Sequence, residues 1–150
     1  QASIGVTQME RADDILNERQ ALAKKYNKAL KELDFFQLPY ENTNYEHGYQ
    51  SYPCMFDIKN ASLNKIKRVN EKRNMFMNAL QKEGVSTRPA THAVHMLQYY
   101  REKYEVIPED FPNAYIANEC SISFPLFNGL TDEEQCFVIK SMKEGYLNGY

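Results

Sequence analysis

The sequence has no tryptophan, three cysteines and only six glycines in 150 residues. Each scarcity excludes something. The few glycines form no GxGxxG, GxxxxGK[ST] or GxSxG pattern, the devices that cradle phosphates on backbone N–H groups or present a serine nucleophile. Cys54, Cys120 and Cys136 are odd in number and far apart. That argues against a disulfide framework and for a reducing compartment, with each thiol read as buried and inert. Net charge is −2 with acidic and basic residues interspersed, so nucleic acid is not an expected partner. No apolar run approaches the roughly 20 residues of a membrane span. The opening QASIGVTQMERADD lacks the basic start and apolar centre of a signal peptide. The expected setting is the cytoplasm.

What is present fits one domain with a real core: 43% hydrophobic and 25% charged residues. The aromatic content rests on eleven tyrosines and eight phenylalanines. Tyr40, Tyr45, Tyr49 and Tyr52 cluster. They could stack on sugar rings, but tyrosine also suits strand positions, which is the preferred reading.

Residues from Ala2 to about Leu33 read as one long helix or two joined helices. Ile4, Met9, Ile15, Leu16, Leu22, Tyr26, Leu30 and Leu33 recur at helical spacing, and no proline interrupts. The helical pattern begins with no cap residue before it, so Gln1 reads as a cut or trimmed end. QLPYENTNYEHG is a loop. YQSYPCMFDI has strand composition, with Pro53 suggesting an edge or a bulge. VNEKRNMFMNALQKEG is a helix with Val69, Phe76, Ala79 and Leu80 on one face and Gly84 as its stop. VSTRPA is extended, HAVHMLQYYREKY one short helix, and FPNAYIANEC another with Pro112 near its start. SISFPLF is a strand and NGL a turn. In the last helix Thr131 and Glu134 form a capping box, Phe137, Val138 and Met142 bury the inner face, and Gly145 ends it. Few strands alternate irregularly with helices. The expected class is α+β, a small, mostly antiparallel sheet with helices packed on it and a long N-terminal helix.

The densest chemistry lies in STRPATHAVH. His92 and His95, three apart on a helix, would share a face as metal pairs do, but no CxxC, HExxH or further ligand accompanies them, so no metal site is assigned. No flanking signature supports a Cys–His nucleophile either. Arg88 has a planar fork that matches the two oxygens of a phosphate or carboxylate. Thr91 can donate and accept, and His95, opening a helix, would sit where the N-terminal field favours a neutral ring. Equally, these groups could cap helix ends and bridge to carboxylates. From the residues alone both readings stay open.

Four stretches, in order, carry a resemblance: QASIGVTQMERADDILNERQALAKKYNKAL, HGYQSYPCMF, LQKEGVSTRPATHAVHMLQYYREKY and FPNAYIANECSISFPLFNGLTDEEQCFVIKSM. Together they resemble the C-terminal small domain of the DegT/DnrJ/EryC1/StrS family, pyridoxal-phosphate-dependent aminotransferases acting on nucleotide-linked keto sugars. The resemblance covers nearly all of residues 1–150. The pyridoxal-phosphate-binding large domain is absent from it, and with it the Schiff-base lysine and the acid that pairs with the pyridinium nitrogen. One local departure is Ala90, which stands where many members have the first histidine of a VHYPPLH-like turn.

The resemblance implies a role in binding rather than in covalent catalysis. His95, Arg88, Thr91 and His92 become candidate substrate-binding residues, with no catalytic residue and no metal ligand in this chain. The parent enzyme would be a homodimer using pyridoxal phosphate and a nucleotide-sugar substrate, in cell-surface polysaccharide or lipopolysaccharide biosynthesis. This chain alone would bind no cofactor and be inactive. Two alternatives stand beside it: a free-standing sugar-binding or regulatory module, and a partner that docks onto a separate large domain. The docking and domain readings share one expectation, an exposed apolar face on the helix from Ile4 to Leu33.

Overall fold

The computed structural model describes residues 2–147; Gln1, read above as a trimmed end, lies outside the described residues. The N-terminal stretch forms two joined helices, α1 (Ala2–Met9) and α2 (Ala12–Leu30). α2 buries Leu22, Ala23, Tyr26 and Leu30 along one stripe, the spacing of a core-facing helix. α1 buries nothing. Its Ile4 and Met9 are 69% and 73% exposed, so the expected uncovered apolar face is there, confined to the first helix.

Three strands, β1 (Phe36–Gln37), β2 (Tyr52–Phe56) and β3 (Ser121–Phe124), make one antiparallel sheet in the order β1-β2-β3. The α+β expectation is met. β1 is missing from the sequence reading because two residues are too few to show a period. The edge expected at Pro53 is corrected: β2 is the central strand. Register explains the proline. Pro53 lies opposite Ser123, and Ser123 exchanges both backbone hydrogen bonds with Arg88 on its other side, at 2.7 and 3.3 Å. Alternation in an antiparallel pair therefore makes Pro53–Ser123 a pair with no hydrogen bond, where β3 asks for no N–H. On the other flank β1 ends opposite Met55, before it reaches the proline.

α3 (Ile66–Lys82) packs against α5 (Pro112–Cys120) and α6 (Asp132–Leu147), and α6 also meets α2. α3 ends in a Schellman motif. The Gly84 N–H donates to Gln81 O, the Val85 N–H donates to Leu80 O at 2.8 Å, and Gly84 takes φ +83°. The capping box of α6 is present: the Thr131 N–H donates to Glu134 Oε2 at 2.8 Å and the Glu134 N–H to Thr131 Oγ1 at 3.2 Å.

Two details of α6 differ from expectation. Phe137 is 49% exposed while Val138 and Met142 are buried. The buried stripe is Gln135, Val138 and Met142, at i, i+3 and i+7, and Phe137 lies off it. Buried Gln135, which the sequence pattern would have put outside, joins that stripe by donating Nε2 to Leu22 O at 2.8 Å, while its Oε1 has no partner. Gly145 does not end the helix, which continues to Leu147. It lies against Phe76, where an added Cβ would come within 3.2 Å of the ring, so it serves close packing of α6 on α3.

Candidate functional site

The STRPATHAVH segment leaves α3 through the Gly84 turn and runs beside β3. Its backbone is fixed at four points. Arg88 pairs with Ser123 through both backbone bonds. The N–H groups of Ala90 and Thr91 both donate to Ser121 Oγ at 3.2 Å. The Ala93 N–H donates to Asn118 Oδ1 at 3.0 Å. The chain then makes a 3-10 turn at Val94–Met96, passes Leu97 in an extended conformation (ψ 139°), and starts α4 (Gln98–Tyr104). The single helix expected over HAVHMLQYYREKY is thus corrected to a turn, a break and a helix. His92 precedes the turn and His95 sits inside it, so the two do not share a helical face and His95 opens no α-helix. Among the described residues no group of three or more His, Cys, Asp or Glu could hold a metal ion.

Arg88, Thr91 and His92 are exposed, and His95 is half-buried. The His95 ring lies 5.1 Å from that of Phe111, and its Nε2 is buried with no hydrogen-bond partner. The four candidates do not converge on one cavity. Arg88, with Pro89 and Ala90, lines a groove of about 1050 Å³ between the segment, the end of β3 and α6; Thr91, His92 and His95 do not line it. Phe127 and Phe137, about half exposed, give this groove its apolar lining. Its charged groups are Arg88, Glu133 and Glu134. Glu134 is occupied by the Thr131 N–H and hydroxyl, which hold its carboxyl below the usual range. Arg88 is therefore the groove's cationic group and is held by its main chain, which leaves the guanidinium free to take two anionic oxygens.

Sequence reasoning missed the residues beneath the segment. Arg73 is 5% exposed and donates from Nη1 to Ser121 O at 2.8 Å, while its Nε has no partner. Burial lowers its pKa, and the neighbouring Glu119 carboxylate opposes that shift. The signal was in the sequence: Ile66, Val69, Arg73, Phe76 and Leu80 form one i, i+3, i+7 stripe, and an arginine inside such a stripe is a buried arginine in need of an acceptor.

The tyrosine cluster forms no single platform. Tyr49 and Tyr52 are buried, while Tyr40 and Tyr45 are 82% and 80% exposed. Tyr52 occupies β2 as its composition suggested and stacks on Tyr26 with centroids 4.8 Å apart. Tyr49 adopts φ +41° and donates its hydroxyl to Glu41, and burial with that bond pushes its pKa up to about 12.

Comparison with known proteins decides the family. The DegT/DnrJ/EryC1/StrS aminotransferase family matches residues 1–143. The chain belongs to that family. It is 28% identical to the uncharacterized protein MJ1066 of Methanocaldococcus jannaschii over 144 residues, which are 96% of this chain and 35% of the relative. It is 29% identical to GDP-perosamine synthase of Escherichia coli O157:H7 over 148 residues, 97% of this chain and 35% of that protein. Its fold matches that of PseC of Helicobacter pylori, an aminotransferase involved in the biosynthesis of pseudoaminic acid, with a TM-score of 0.80 at 16% identity, over 96% of this chain and 36% of that one. This member of the family thus spans about a third of the length of the relatives it matches.

Proposed function

We propose that this chain is the C-terminal small domain of a sugar aminotransferase and supplies part of the surface that holds a nucleotide-linked keto sugar. The observation that carries the reading is Arg88. Its backbone is locked to Ser123 and its exposed side chain lines an apolar groove, the arrangement suited to a ligand with anionic oxygens and an apolar ring face. Thr91, His92 and His95 lie on the continuation of the same segment, outside the groove, and stand as further candidate contacts for the part of the substrate that extends beyond it. Biosynthesis of a cell-surface polysaccharide, in the cytoplasm and by a homodimer, fits this assignment. No helix of the described residues is long and apolar enough to cross a membrane.

Pyridoxal phosphate, when bound, supplies the electron sink for transamination. It needs an amine for its Schiff base and an acid beside the pyridine nitrogen. The groove offers Arg88, Glu133 and Glu134 but no lysine, so these residues do not fit the cofactor. We assign it to the part of the longer protein that this chain does not contain. The chain's own residues bind and orient.

The test is Arg88→Ala in the longer protein. A lost charge-assisted contact of about 1.5–3 kcal/mol corresponds to roughly a 10- to 100-fold rise in KM for a nucleotide-linked keto sugar. The absorbance of bound cofactor stays unchanged. An unchanged KM contradicts the assignment.

A further inference from the structure

We propose that Arg73 and Ser121 form a buried clasp that positions the Ala90–Thr91 backbone, and through it the binding segment from Arg88 to His95. The inference rests on the binding role given to that segment above. It begins with the edge of β3. Ser121 and Ser123 are two apart on one strand, so their backbone groups face the same side, away from β2. Ser123 meets a strand there, the extended backbone at Arg88. Ser121 does not, because the Ala90 N–H that follows goes to its hydroxyl and not to its carbonyl. That leaves a buried carbonyl at Ser121, 2% exposed, with no backbone donor.

Arg73 replaces the missing strand. Its Nη1 reaches the Ser121 carbonyl at 2.8 Å from the buried stripe of α3. A lone carbonyl does not need a guanidinium, since a neutral donor would satisfy it at lower desolvation cost. The guanidinium adds a rigid, planar, charged donor that fixes where Ser121 sits. Ser121 then turns its hydroxyl to the two successive N–H groups of Ala90 and Thr91, both at 3.2 Å. One hydroxyl oxygen has two acceptor sites, and this geometry uses both. The Ala90–Thr91 backbone is thereby held by side chains, and the side chains of Arg88 and Thr91 are left exposed. Arg73 and Ser121 are positioning residues; neither lines the groove.

Residue-resolved amide hydrogen exchange on the full-length protein tests this, with Ser123→Ala as control. Ser123 holds the segment through its main chain, so its truncation leaves the Ala90 and Thr91 hydrogen bonds intact. Ser121→Ala is expected to speed exchange at Ala90 and Thr91 at least about tenfold, with the remainder of the sheet unchanged, while Ser123→Ala does not. Arg73→Met is expected to show the same two-amide signature together with a lower Tm. Unchanged exchange at Ala90 and Thr91 in Ser121→Ala overturns the clasp, as does an equal rise in Ser123→Ala. A lower Tm in Arg73→Met without the two-amide signature reduces Arg73 to a core residue and overturns its part. In steady-state kinetics Ser121→Ala is expected to raise KM for the nucleotide-linked keto sugar several-fold with kcat nearly unchanged. Faster exchange with an unchanged KM would support the clasp and contradict the binding role of the segment, which separates failure of the two ideas.

Discussion

Tyr26 on α2 donates its phenolic hydroxyl to the carbonyl of Pro125 at 2.9 Å, joining residues 99 apart in sequence at the point where β3 ends and the groove begins. The ring itself is fully buried. The bond fixes the strand end against the long helix, and two turns earlier on that helix Arg19 ties down the segments after β3 and before β2. Arg19 donates from Nε to Asn128 Oδ1 at 3.1 Å and from Nη1 to the carbonyls of Tyr49 and Gln50.

Tyr26→Phe keeps the packing and removes the donor, so the partly buried Pro125 carbonyl loses its protein partner at the groove's edge. The expected cost is about 1–3 kcal/mol of unfolding free energy, read as a lower urea midpoint with an unchanged m-value. No change in midpoint would show that water replaces the hydroxyl.

Gly84→Ala should cost about 1–2 kcal/mol, because an alanine must hold the left-handed conformation that Gly84 adopts at φ +83°. Nothing lies within 4 Å of the added Cβ, so the cost is conformational alone. Gly84→Asn is then expected to recover part of it, since asparagine tolerates this region. Thermal melts of the two variants decide the point; equal losses would mean that packing, not backbone conformation, sets the cost.

Thiol reactivity should divide sharply. Burial pushes the Cys54 thiol far up and the Cys120 thiol up to about 11, with Arg73 pulling the latter slightly back. Cys136 is exposed. Native protein treated with iodoacetamide near neutral pH is expected to label Cys136 alone, and all three only after denaturation. Rapid native labelling of Cys54 contradicts the core described here.

Stability should fall in acid, with a defined sign. Backbone donation from Gly129, then the Asn128 side chain, holds Glu18 below its ordinary value of 4.5, and Thr131 does the same for Glu134. A depressed folded-state pKa contributes stability that is present above the unfolded value and is lost as pH falls through the folded one. The Glu18→Gln, Glu134→Gln double variant should therefore show a shallower fall in Tm below about pH 4.5 than the parent. Parallel curves contradict the assignment.

Much of the fold was legible because local rules were strong enough to act alone. Thr131 with Glu134 marked a helix start, Gly84 a helix stop, and the stripe through Leu22, Tyr26 and Leu30 a core face. What escaped depended on contacts distant in sequence. Gly145 looks like a terminator, yet it serves approach to Phe76. Pro53 looks like an edge residue, yet the Arg88–Ser123 pairing makes a central position tolerable. Phe137 has the chemistry of a core residue and the phase of a surface one. At the candidate site the sequence placed Arg88 on an extended segment, as found. It drew His92 and His95 onto one helix because it could not see that only a short 3-10 turn at Val94–Met96 forms there, with His92 before it and the α-helix starting at Gln98. Ser121 went unnoticed because a serine in a strand carries no signal until the chain folded over it is known.

The central claim is that this chain binds and orients substrate while the cofactor is held elsewhere in the longer protein. Borohydride reduction of the full-length, cofactor-loaded protein followed by peptide mapping tests it most directly. The account predicts a single pyridoxyl-lysine peptide, and that its sequence falls outside the 150 residues described. Stoichiometric labelling of any one lysine within them would contradict it.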